Sequence, residues 1–166
     1  MARQLWLLRH AEAEPHGARA DSERRLTGRG ERQARAAGVA LARLGASFEL
    51  VMFSPKVRAR QTAELAAEAW SEEQRERMSV CRPLAGRFEL DQLRELLRGV
   101  SEAGRVLLVG HEPDLSLLAG SVSGGRVDLK KGGLAALRLE GAGGELLLLL
   151  RPRELAAIAG VPGDGN

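Results

Sequence analysis

The chain has 166 residues, 44% hydrophobic and 28% charged, with a formal net charge of +3, as expected of one globular domain over residues 1–166. No apolar run is long enough for a membrane span or a secretory signal, and the single cysteine, Cys81, excludes an internal disulfide. We therefore expect a cytoplasmic protein in which Cys81 is a small buried side chain. Arginines interleaved with glutamates, and only 3% aromatic residues, indicate solvated helix faces, a monomer, and neither nucleic-acid nor membrane partners.

The predicted elements alternate between strands and helices. The predicted strands are residues 4–8, 48–53, 78–81, 105–109, 134–139 and 145–150. The predicted helices are residues 30–44, 54–70, 88–100, 114–122 and 153–159, the second of them capped by Ser54 and opened by Pro55. This order predicts an α/β fold: a three-layer sandwich with a mostly parallel central sheet, an antiparallel edge strand and helices on both faces.

Basic side chains and imidazoles follow three of the predicted strands. Arg9 and His10 end the first strand, Arg58 lies in the first helical turn after the second strand, and His111 follows the strand 105–109. If these strands are parallel neighbours, the four side chains converge at one edge of the sheet, where open α/β sheets bind ligands. Arginines and a helix N-terminus at that edge predict an anion site of high charge density.

Other kinds of site fit the chain less well. Metal-ligand spacing such as His-Glu-x-x-His does not occur, and neighbouring arginines would repel a cation. There is no P-loop, and Gly28-x-Gly30 follows a loop rather than a strand, which excludes a dinucleotide fingerprint. A Ser-His-Asp triad lacks its Gly-x-Ser-x-Gly turn. We therefore expect neither a metal nor a cofactor.

Three segments of the chain resemble the histidine phosphatase superfamily, whose fold is that of phosphoglycerate mutase. They are residues 8–13 (LRHAEA), 54–64 (SPKVRARQTAE) and 109–113 (VGHEP). The short length, the Glu-Pro after His111 and the 130–133 segment (KKGG) are similar to the SixA-type phosphohistidine phosphatase branch.

The resemblance implies a mechanism and a set of catalytic residues. His10 would be the nucleophile that forms a transient phosphohistidine, and Arg9, Arg58 and His111 would bind the phosphoryl oxygens without a metal. Many members of the superfamily carry a glutamate after the third strand, but residues 80–86 (VCRPLAG) contain no acid. Asp21, in the loop above strand one, is then the candidate proton donor, and Glu89 is a weaker candidate whose simpler interpretation is an exposed carboxylate at a helix start.

The missing acid favours a phosphohistidine substrate, because a leaving imidazole needs less protonation than an alkoxide. The predicted function is a metal-independent phosphatase acting on phosphohistidine proteins. The alternatives are a small-molecule phosphomonoesterase or mutase-like enzyme of the same fold, and a non-catalytic phosphate-binding module. Lys130 and Lys131 either guide an acidic partner or simply flank a turn before an edge strand.

Overall fold

The computed structural model describes residues 2–164 and contains one six-stranded sheet. Its strands are β1 (Gln4–Arg9), β2 (Leu50–Phe53), β3 (Met78–Val80), β4 (Arg105–Gly110), β5 (Leu134–Glu140) and β6 (Gly143–Leu150). Its α-helices are α1 (Gly28–Arg43), α2 (Val57–Ala67), α3 (Glu72–Glu76), α4 (Leu90–Leu97), α5 (Asp114–Ser123) and α6 (Pro152–Ala159). Short 3-10 helices occupy Asp21–Glu23 and Arg82–Ala85.

The order of strands across the sheet is β3-β2-β4-β1-β5-β6, so that β2, β4 and β1 are neighbours. The pairs β3–β2, β2–β4 and β4–β1 are parallel, whereas β5 pairs antiparallel with β1 and with β6. Continuously apolar β1 and β4 lie in the middle, as expected of strands covered on both faces. The predicted mostly parallel sheet with an antiparallel edge is confirmed.

Two apolar layers cover the sheet. On one face Trp6 and Leu8 of β1 pack with buried residues of α1, α2 and α6, and on the other Leu5 and Leu7 pack with residues of α4 and α5. The close contact of α1 with α2 depends on Gly38, where a Cβ atom would lie 2.0 Å from the carbonyl oxygen of Ala66. The predicted helices on both faces are therefore confirmed.

The structure corrects several predicted boundaries. Ser54 does not cap α2: the helix begins at Val57 after Lys56, and the Ser54 side chain turns to the strand end instead. That helix ends at Ala67 rather than near residue 70, because Ser71 caps the separate helix α3, accepting the N–H of Gln74. The predicted helix 88–100 is shorter, Leu90–Leu97.

Cys81 and the membrane prediction are also addressed by the structure. Cys81 is partly rather than fully buried, and burial raises the pKa of its thiol. Within residues 2–164, no helix has the length and apolar character that a membrane crossing requires.

Candidate active site

The carboxyl ends of β2, β4 and β1 lie side by side at one edge of the sheet. Arg9 is in register with Gly110 across the β1–β4 pair, and Phe53 is in register with Val109 across the β2–β4 pair. The residues that directly follow these strands therefore meet. The structure brings together all four predicted residues, Arg9, His10, Arg58 and His111, and adds Ser54.

His10 is buried, and its two ring nitrogens have different partners. Nδ1 lies 2.8 Å from the carbonyl oxygen of Ala11, which can only accept a hydrogen bond, so Nδ1 carries the proton. Nε2 lies 3.4 Å from Nε of Arg58, a donor, so Nε2 presents its lone pair. The pKa of His10 is lowered to about 3, mainly by burial and also by the charges of Arg58 and Arg9, while the bond to Ala11 acts in the opposite direction. The ring is neutral at physiological pH.

Arg58 is almost fully buried in the first turn of α2, beside His10. Besides the contact with His10, its Nη1 donates to the carbonyl oxygen of Asp21 at 2.7 Å, and its Nη2 lies 3.4 Å from the Asp21 carboxylate. Thr62, one turn later, donates to the Arg58 carbonyl oxygen and accepts the N–H of Ala11. Thr62 thus fixes α2 against the backbone that follows His10, a role that the sequence analysis did not predict.

His111 is oriented by Ser54, which is fully buried. Nε2 of His111 lies 2.7 Å from Oγ of Ser54, and Oγ also accepts the N–H of Lys56 at 3.3 Å. Within the described residues the Ser54 hydroxyl proton has no acceptor other than His111 Nε2, which puts the imidazole proton on Nδ1. Burial lowers the pKa of His111 to about 3, with a smaller contribution from His10. The rings of His10 and His111 are 5.2 Å apart, centroid to centroid.

Two buried nitrogen atoms of this site lack hydrogen-bond partners within the described residues: Nε of Arg9 and Nδ1 of His111. Arg9 also donates from Nη1 to the carbonyl oxygen of Leu129 at 3.0 Å, and burial lowers its pKa against the nearby carboxylates of Glu112 and Asp128. Buried donors without partners are costly and rare in folded proteins. The atoms suit a ligand with several acceptor oxygens, which fits a phosphoryl group.

The two candidate proton donors occupy different positions: Asp21 contacts Arg58 of the site, whereas Glu89 precedes α4. Asp21 lies next to Arg58, but hydrogen bonds from Lys56 at 2.9 Å and Arg24 at 2.9 Å hold its pKa well below the usual range. Asp21 is therefore ionised at neutral pH, and the structure argues against the predicted donor role. Glu89 caps α4 by bonding with Gln92, which agrees with the simpler interpretation of that residue.

The segment after β3, where the family resemblance leads us to expect an acid, places an apolar side chain near the site. Leu84 is buried in the 3-10 helix Arg82–Ala85 and lies close to Gly110, immediately before His111. Across residues 2–164, no three His, Cys, Asp or Glu side chains are grouped so that they could hold a metal.

Comparison with known proteins identifies the family. The model of the histidine phosphatase superfamily (branch 1) matches residues 5–80. An uncharacterized protein of Picosynechococcus sp. is 34% identical over an alignment of 165 residues that covers 92% of this chain and 98% of the relative.

Solved structures of the same fold cover nearly all of the chain. The protein histidine phosphatase SixA complexed with tungstate has a TM-score of 0.79 at 23% identity, covering 92% of this chain and 99% of that one. A putative phosphohistidine phosphatase SixA from Nakamurella multipartitia has a TM-score of 0.76 at 28% identity, with 92% and 97% covered. A putative α-ribazole-5′-P phosphatase from Escherichia coli has a TM-score of 0.68 at 22% identity, with 91% and 98% covered.

An edge of the sheet where two histidines and two arginines meet, together with these matches, identifies a phosphatase. The chain belongs to the histidine phosphatase superfamily. The resemblance predicted from its three motifs is confirmed, and the structure at 28% identity extends it to the SixA-type branch.

Proposed function

We propose that this phosphatase hydrolyses phosphohistidine on protein substrates, without a metal, through a covalent phosphohistidine at His10. The observation that carries the proposal is the fixed tautomer of His10. The Nδ1 proton is donated to the carbonyl oxygen of Ala11, and the Nε2 lone pair faces the guanidinium of Arg58. A neutral imidazole whose Nε2 carries no proton can attack phosphorus without first losing a proton.

In the first step, the Nε2 lone pair of His10 forms a bond to phosphorus while the bond from phosphorus to the substrate nitrogen breaks. The leaving imidazole keeps that electron pair. It departs as a neutral ring when its other nitrogen is protonated, so no acid is required at the atom that leaves. Arg9, Arg58 and His111 donate to the phosphoryl oxygens, where donors fixed in advance stabilise a transition state most effectively.

In the second step, water attacks the phosphorus of the phosphoenzyme. The bond from phosphorus to Nε2 breaks and returns its electron pair to His10, and one proton of the water passes to phosphate or solvent. His10 is regenerated as the neutral Nδ1–H tautomer. The bond from Nδ1 to the Ala11 carbonyl stabilises the positive ring of the intermediate, since that oxygen accepts throughout the cycle.

The protonation state of Asp21 supports phosphohistidine over ordinary phosphate esters. An alkoxide leaving group requires a proton donor, and Asp21 is held ionised by Lys56 and Arg24. Esters with poor leaving groups, such as sugar phosphates, are therefore expected to react slowly.

A side-by-side assay tests the proposal. The purified protein is given a phosphohistidine peptide, phosphoserine, a sugar phosphate and p-nitrophenyl phosphate, and kcat/KM is compared. We expect the phosphohistidine peptide to exceed phosphoserine and the sugar phosphate by at least about 100-fold, the usual size of the contribution from general acid catalysis. Faster cleavage of the sugar phosphate would identify a small-molecule phosphomonoesterase instead.

A further inference from the structure

A cavity of about 470 Å³ adjoins the phosphate site, and Arg9 is common to both. We define the basic groove by the six positive side chains that line this cavity, which are Arg9, Arg29, Lys130, Lys131, Arg151 and Arg153. They come from β1, α1, the loop before β5, and the start of α6. The positive charge therefore extends from the phosphate site along four segments of the fold.

The groove carries more positive charge than its carboxylates neutralise. Glu12 pairs with Arg29, Asp128 pairs with Lys130, and Glu154 pairs with both Arg151 and Arg153. Glu112 also lies near Arg9, so six cations face four carboxylates and an excess of two positive charges remains. The groove therefore keeps an excess of positive charge beside the phosphate site.

The lysines of the groove are held by the backbone of the site itself. The N–H of Gly132 donates to the carbonyl oxygen of His10 at 2.9 Å, and the N–H of Arg9 donates to the carbonyl oxygen of Gly133 at 3.0 Å. Gly132 has φ +73°, which favours glycine at this turn. Lys131 is exposed and has no hydrogen-bond or ion-pair partner within the described residues. A turn fixed in this way presents Lys131 at a set position relative to His10.

We propose that the basic groove binds aspartate or glutamate side chains that flank the phosphohistidine of a protein substrate. The inference rests on the proposed function and names the class of substrate segment that this site accepts. Charge complementarity at the rim of a site raises association rates and discriminates between partners. An extended acidic segment fits because the cations are spread over several elements, whereas a single small anion would contact only a few of them.

Two peptides test the groove. Both contain a central phosphohistidine; one has aspartate and glutamate on either side, and the other has asparagine and glutamine at the same positions. At low salt we expect kcat/KM to be about tenfold higher for the acidic peptide, and Lys131→Glu to reduce that ratio about fivefold. The matched control is Arg75→Glu on α3, an exposed arginine with the same change of charge, which should leave the ratio unchanged.

Equal kcat/KM for the two peptides in the wild type, or an equal loss of the ratio in both variants, would refute the proposal that the groove binds acidic side chains. The unphosphorylated acidic peptide, labelled and followed by fluorescence anisotropy, gives a reading that is independent of catalysis. If the wild type hydrolyses neither peptide, the proposed function is wrong. In that case, weaker binding to Lys131→Glu than to Arg75→Glu still supports the groove, and equal binding refutes it.

Discussion

The His10→Gln variant tests whether burial really holds the imidazole neutral. Burial lowers the pKa of His10 to about 3 in the folded protein, whereas histidine in an unfolded chain titrates near 6.5. Below pH 6.5 the unfolded chain therefore binds a proton that the folded protein refuses. The stability due to neutral His10 is present above pH 6.5 and is lost as the pH falls toward 3.

The size of this loss follows from the separation of the two pKa values. Each pH unit between them corresponds to about 1.4 kcal/mol for one proton, so at pH 5 the wild type loses about 2 kcal/mol relative to pH 7.5. His10→Gln lacks this titration. The free energy of unfolding of the wild type minus that of the variant should thus fall by about 2 kcal/mol from pH 7.5 to pH 5.

Urea denaturation at fixed ionic strength measures the difference, and shared carboxylates cancel between the two proteins. His16→Gln removes a histidine whose side chain is 88% exposed and serves as the control for losing a histidine as such. If the difference in the free energy of unfolding between wild type and variant stays constant from pH 7.5 to pH 5, His10 is not held neutral. The proposal that Nε2 is ready to attack phosphorus would then lose its physical basis.

Three further substitutions address the other parts of the site. Arg58→Lys keeps the charge but loses the guanidinium geometry beside His10, and kcat should fall about 100-fold in steady-state assays; a loss below threefold would remove Arg58 from transition-state stabilisation. Ser54→Ala frees Nε2 of His111, so kcat should fall about tenfold with little change in KM, and unfolding should become easier by about 1 kcal/mol. Asp21→Asn removes a competing anion beside Arg58, so inorganic phosphate should inhibit about threefold more strongly; a 100-fold loss of kcat would instead assign proton donation to Asp21.

The sheet and its ligand edge were predictable because they depend on local patterns. Continuously apolar runs identified β1 and β4, and the residues that follow them were predicted to meet because parallel strands end at one edge. This argument and the family resemblance were enough to predict Arg9, His10 and His111 as site residues.

The roles of Ser54 and Asp21 depend on tertiary contacts that a sequence pattern does not contain. Ser54 followed by proline is typical of a helix cap, but its hydroxyl is taken by His111, which is 57 positions later in the chain. Asp21 lies beside Arg58, and its ionisation depends on Arg24, three residues later in the same loop, and on Lys56, which directly precedes α2. The long-range bonds of Ser54 with His111 and of Asp21 with Lys56 therefore set the roles of these residues.

Trapping the phosphoenzyme tests the central proposal most directly. The purified protein is mixed with an isotopically labelled phosphohistidine peptide, quenched in alkali within one turnover, and analysed by mass spectrometry. We predict an acid-labile phosphoryl group on His10 of the wild type and none on His10→Gln, which should also lose turnover. Label on another residue, or full turnover by His10→Gln, would contradict the covalent mechanism.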